Sequence, residues 1–177
     1  MWIGKRYKNS VYNPPDGSRW KVIKKLSERV VLSDSYQYEM GRDTSEVHAV
    51  YRVRQTHGKS VGKKAILKVS MQIPEDGGKD VSLDHSVRAR EASDIYGIAT
   101  MRETHALTWL TERNCSVSPR LLSLVVGKQE GSTMPVPGGW IVFILMDMVP
   151  GVNLEEFRYF DFAKRERIRQ AFLKSMT

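Results

Sequence analysis

The chain is poor in cysteine and histidine and has no long apolar run, and each shortage removes a class of protein. One cysteine, Cys115, among 177 residues cannot close an internal disulfide, so a disulfide-stapled scaffold is excluded. That residue reads as a small buried hydrophobe. Four histidines are scattered without paired spacing, which removes the ligand pattern of a structural zinc site. The longest apolar run, Trp140 to Met146, falls far short of the roughly 20 residues that a membrane-spanning helix needs. The amino terminus, Met1-Trp2-Ile3-Gly4-Lys5-Arg6, has no apolar signal core. A soluble intracellular protein, cytoplasmic or nuclear and with no membrane partner, is the expectation.

At 41% hydrophobic and 27% charged residues, the chain fits one globular domain or an incomplete piece of a larger one. Its net charge of +8 is unevenly placed. Residues 1 to 30 carry eight Lys/Arg against two acids, residues 158 to 177 carry six against two, and the middle sums to −2. Basic ends attract phosphates, and Trp2, Tyr7, Tyr12 and Trp20 interleave with the first cluster. Pro14-Pro15-Asp16-Gly17 breaks that stretch into loop. A solvated tail and a solvated helix face are the simpler account, and nucleic acid is not expected as the partner.

Residues 1–18 read as a polar, turn-rich, flexible lead-in, with order beginning near Trp20. Trp20 to Leu32 alternates as a first strand, Ser33 to Ser45 is loop, and Val47 to Val53 is a second strand. Gly58 and Gly62 set a hairpin turn into a third strand, Ala65 to Val69. Pro74 to Lys79 is a turn, and Leu83 to Glu112 is mainly helix with a break near Gly97. Beyond Ile98, the apolar residues Met101, Ala106, Leu107 and Leu110 recur at helical spacing, which predicts one buried face. Leu121 to Val126 and Trp140 to Met148 follow as strands of a central hairpin around a Gly/Pro-rich excursion. Leu154 to Tyr159 is a short helix, and Phe162 to Met176 a second, capped by Asp161.

Three positions stand out chemically. Lys68 sits in an apolar strand and shares its face with Ile66 and Ser70. Burying an ammonium there costs several kcal/mol unless an anion answers it. An exposed edge strand is the ordinary account; a lysine that holds phosphates is the other. Glu103 falls on the buried-face side of the predicted helix and offers the answering carboxylate, with Glu91 and Glu112 as further candidates. Finally, Ile141 to Met146 runs into Asp147-Met148-Val149-Pro150-Gly151, where Pro150 lacks an N–H and Gly151 frees the backbone, so regular sheet ends. The exposed backbone of that segment can meet a purine edge.

In order and spacing these features resemble the amino-terminal lobe of protein kinases, and more closely the divergent kinase-like proteins of filamentous fungi. The resemblance spans roughly Trp20 to Met176 and is carried by Glu103-Thr104-His105-Ala106-Leu107, by Cys115 with Pro119-Arg120-Leu121-Leu122, and by Val136-Pro137-Gly138-Gly139-Trp140 through Asp147 and Pro150-Gly151-Val152-Asn153-Leu154. It implies that Lys68 contacts phosphate, Glu103 is its helix partner, Met146 guards the back of an adenine pocket and Asp147, Met148 and Val149 form the hinge. ATP is the implied cofactor.

Three departures qualify it. Leu32 to Val47 contains only Gly41, so no glycine-rich phosphate loop is visible. Ile66 stands where such kinases usually carry alanine. No H-R-D-x-x-x-x-N loop and no D-F-G follow the hinge, so magnesium is not expected without the missing lobe. Asp161-Phe162-Ala163 imitates D-F-G but reads as a cap, and Gly58-Lys59-Ser60 imitates a P-loop end but lacks its upstream glycine, Val53 standing there.

The expected protein is therefore α+β: a kinase-like lobe over 19–149 with a five-stranded antiparallel sheet and one main helix after the third strand, and a hinge exit with one or two helices over 150–177. Its expected role is that of a nucleotide-binding lobe, truncated before the catalytic loop and inactive alone. The rival is a non-catalytic module that engages another protein through exposed lobe surface. On either account the isolated chain is expected to be marginally soluble or oligomeric.

Overall fold

The computed structural model describes residues 2–34, 40–41, 43–75, 84–150 and 154–175. Within them an antiparallel sheet of six strands runs β1 (Val11–Tyr12), β2 (Arg19–Val31), β3 (Glu46–His57), β4 (Lys64–Gln72), β5 (Leu121–Lys128) and β6 (Trp140–Asp147). Their spatial order is β1-β2-β3-β4-β6-β5. Three α-helices accompany them, α1 (His85–Ala89), α2 (Ile98–Glu112) and α3 (Phe162–Ser175), with a 3₁₀ helix at Leu154–Tyr159 before α3. None of the described helices is long and apolar enough to cross a membrane.

The α+β class and the strand-strand-strand-helix-strand-strand order are as expected. The strand count is not: six stand where five were expected, and the extra one, β1, comes from the stretch read as lead-in. Its aromatic residues explain why. Trp2, Tyr7 and Tyr12 pack with buried Ile3 against the core of the sheet. Tyr7 stands edge-on to Tyr51 and Phe143, and Tyr12 stacks on Phe143 at 5.5 Å. Glu28 of β2 fastens the segment, because its carboxylate accepts the backbone N–H groups of Trp2, Ile3 and Gly4 and pairs with Lys25.

The β3–β4 turn is the expected hairpin. Gly58 and Gly62 have φ of +115° and +90°, which L side chains rarely adopt, so Gly58-Lys59-Ser60 belongs to a turn. Asp161 also caps α3, accepting the Lys164 N–H at 2.7 Å. Two readings are corrected. The β5–β6 hairpin lies at the sheet edge, because β6 rather than β5 pairs with β4, and Leu124 and Val126 of β5 are exposed. The buried stripe of α2 is Thr100, Thr104 and Leu107, with Met101, Ala106 and Trp109 outside. Leu107 joins Trp140, Val142 and Ile144 in a second apolar cluster, while Thr100 meets the buried carboxylate of Glu46. The helix expected over Leu83 to Glu112 breaks between α1 and α2, where Ser93 N–H bonds to Gln72 Oε1 and Glu91 C=O accepts Gln72 Nε2. Residues 76–79 of the expected turn, Leu83, Gly151 of the hinge, part of the Ser33–Ser45 loop and Met176 lie outside the described residues.

Candidate functional site

Alternation along β4 sends Ala65, Leu67, Val69 and Met71 to one face and Ile66, Lys68, Ser70 and Gln72 to the other. The first set joins the main apolar core. Lys68, in contrast, lies under α2, flanked in register by Val50 of β3 and Ile144 of β6. The residue is 6% exposed, so the edge-strand account of its charge does not hold. Its ammonium donates to Glu103 Oε2 of α2 as an ion pair. The other candidate acids are elsewhere: Glu91 accepts the Glu75 N–H at 3.0 Å, and Glu112 is exposed at the end of α2. A buried ammonium is tolerated only with such a partner, and the Glu103 side chain keeps 28% of its surface in water.

Met146 lies two residues beyond Ile144 on the same face of β6, directly opposite Ile66. Asp147 pairs in register with Ala65, reaches Lys63 Nζ at 2.8 Å and donates its backbone N–H to Arg120 C=O. Met148 and Val149 leave the sheet exposed. Around them opens a shallow cleft of about 600 Å³ that includes Lys63, Cys115, Arg120 and Pro150. Cys115 is half-buried rather than a core residue. Hydrogen bonds from the Val117 N–H and from Ser118 lower its thiol pKa, so it reads as a polar hydrogen-bond acceptor at the cleft. The six residues proposed from sequence therefore fall into two groups. Lys68, Glu103 and Met146 share the face under α2, whereas Asp147, Met148 and Val149 line the chain leaving β6.

Sequence reasoning missed the polar residues beside Lys68. Glu46 and His48 of β3 point to the same face and are almost wholly buried. Glu46 accepts the N–H groups of Ala99 and Thr100 and the Thr100 hydroxyl, while Asp43 accepts the Ile98 N–H at 2.8 Å. These carboxylates do the capping that Gly97, at the N-cap of α2, cannot do with a side chain. A Cβ at residue 97 would fall 2.5 Å from the Glu46 carboxyl carbon, so glycine is required for this approach. His48 Nδ1 lies 2.8 Å from the Ser70 hydroxyl, and its Nε2 has no hydrogen-bond partner. Burial first, then the charges of Lys68 and Arg29, push its pKa down to about 3, so the ring is neutral. Burial raises the Glu46 pKa against the pull of its hydrogen bonds to Thr100. The signal was available: polar residues at 46 and 48 alternate with apolar Val47 and Ala49 and match those at 68, 70 and 72 in the next strand.

This arrangement offers a buried cation oriented by a carboxylate, with apolar Ile66 and Met146 beside it. The ammonium retains donors beyond its bond to Glu103, whose side chain keeps contact with water. Compared with known proteins, the chain matches no family model, no curated protein and no solved structure.

Proposed function

We propose that the chain is a nucleotide-binding lobe of protein-kinase-like design that takes ATP without turning it over alone. One observation carries the reading: the ammonium of a buried strand lysine, Lys68, paired with a helix carboxylate, Glu103, across the sheet–helix interface. In this role Glu103 fixes the lysine rotamer, Lys68 meets phosphate oxygens, and Ile66 and Met146 cover the base. Asp147, Met148 and Val149 supply the edge against which the base hydrogen-bonds. A ligand that binds only the folded state raises the unfolding temperature. ATP is expected to stabilise the wild-type chain, and Lys68→Ala to abolish that shift. An unchanged melting temperature of the wild type at millimolar ATP would sink the reading.

A second reading, a protein-interaction module, is favoured by a groove of about 480 Å³ between α2 and β5. Its walls include Ile95, Met101, Leu124 and Val126, all exposed. The ATP titration separates the readings, since this one expects no shift of the melting temperature; a monodisperse monomer in light scattering, indifferent to added protein, counts against it.

A further inference from the structure

The opposite side of the sheet holds a feature that neither reading uses. Between the turn-rich segment from Gly4 to Asn9 and strand β2 lies a partly enclosed cavity of about 260 Å³. Its apolar wall is Val22, Ile23 and Tyr51, and its charged wall is Lys5, Lys8 and Lys24. An apolar cavity of about 150 Å³ already holds benzene, so there is space for a ring and a head group. The cavity depends on local irregularities of the chain. Register between β2 and β3 shifts at Val22/Lys24, a bulge at Ile23, and bulges re-aim side chains. Asn9, on the facing turn, has φ of +61°.

The charges at this cavity are unbalanced. Lys25 is committed to Glu28 and to the Gly4 carbonyl. Glu28, the nearby acid, is already occupied by three backbone N–H groups and Lys25. Among the described residues, no carboxylate pairs with Lys5, Lys8 or Lys24. Tyr51 is 1% exposed, yet its hydroxyl has no hydrogen-bond partner, and a buried polar group left unpaired costs about 1–3 kcal/mol. Burial first, and then the nearby Glu28 and Tyr7, raise its pKa. The phenol therefore stays protonated and is a donor.

We propose that this cavity binds a phosphomonoester with an apolar body: the body against Val22, Ile23 and the Tyr51 ring, the phosphate among Lys5, Lys8 and Lys24, with the Tyr51 hydroxyl donating to it. A phosphomonoester carries close to two negative charges at neutral pH, which suits a cluster of ammonium groups acting as point charges. The site is independent of Lys68 and stands whether or not ATP binds.

Phenyl phosphate is the probe, titrated calorimetrically into the full chain, with inorganic phosphate as the control. Saturable one-to-one binding is expected, at least tenfold tighter than that of inorganic phosphate. The Lys5→Gln/Lys8→Gln double variant should weaken it roughly tenfold or more, and Tyr51→Phe by about threefold to tenfold. Tyr51→Phe keeps the ring, so the ligand-free protein should melt no lower than wild type, which separates lost binding from lost folding. Lys128→Gln, at an exposed lysine of β5 outside both sites, should bind phenyl phosphate as wild type does. The proposal is overturned by absent binding, by equal affinity for inorganic phosphate, or by unchanged affinity in the Lys5/Lys8 and Tyr51 variants.

Discussion

On one face of β4, Ala65, Leu67, Val69 and Met71 close against the N-terminal segment; on the other, Lys68, Ser70 and Gln72 close beneath α2 and its flanking loops. Both sets are almost fully removed from water, but by opposite chemistry. The first face gains stability by burying hydrocarbon, at roughly 25 cal/mol for each Å². The second carries desolvation costs that hydrogen bonds and ion pairs only offset. Part of this second face is structural, since Glu46 caps α2 and Gln72 tethers residues 91 and 93; the Lys68–Glu103 pair, which does neither, is the part on which the nucleotide-binding proposal rests.

The contrast can be broken most forcefully on the apolar side. Leu67→Ala should lower unfolding free energy by about 2–5 kcal/mol, as core truncations do, measured by urea denaturation; a loss below 1 kcal/mol would mean that this face is not the stabilising one. Beneath α2 a smaller effect with a different signature is expected. Lys68→Met strands the Glu103 carboxylate, which is partly hydrated, and should cost about 1–3 kcal/mol. Adding Glu103→Leu should recover most of that loss, because replacing both members of a buried pair by apolar groups is often neutral or better. Additive losses in this double-mutant cycle would mean zero coupling, and hence no energetic interaction between Lys68 and Glu103 in the folded chain.

The smallest effect is electrostatic. The folded pKa of His48, about 3, lies below its ordinary value of 6.5, so protons bind preferentially to the unfolded chain. The stability contributed by burying the neutral ring is complete above pH 6.5 and is lost as pH falls toward 3. Between pH 6 and pH 5 this amounts to about 1 kcal/mol. The raised pKa of Glu46 acts in the opposite sense, because acidification relieves its buried charge. His48→Gln should therefore flatten or invert the loss over that interval; a variant with the wild-type slope would remove His48 from the account.

These two faces were unequally legible in the sequence. The strands were readable because β3 and β4 alternate cleanly and the Gly58–Gly62 turn announces a hairpin. Lys68 and Glu103 were readable because a charge inside an apolar pattern demands a partner. The burial of Thr100 and Thr104 and the exposure of Met101 and Trp109 were not, since the period of a helix says which residues share a face, whereas the sheet decides which face is covered. The lead-in was misjudged as to its contribution for a related reason: Ile3, Tyr7 and Tyr12 follow no regular period, and their burial depends on Glu28 and Phe143 far along the chain.

The caps of α2 bear on the sequence of events during folding. Both carboxylates that hold its first turn lie more than 50 positions upstream, at Asp43 and Glu46, while Gly97 supplies none locally. A 15-residue helix without its caps is marginal in water. Helix α2 must then await its docking on the β3 end of the sheet, a contact across more than 50 positions and hence a slow step. Its backbone amides should exchange hydrogen only when the whole sheet opens, rather than fray from the helix end.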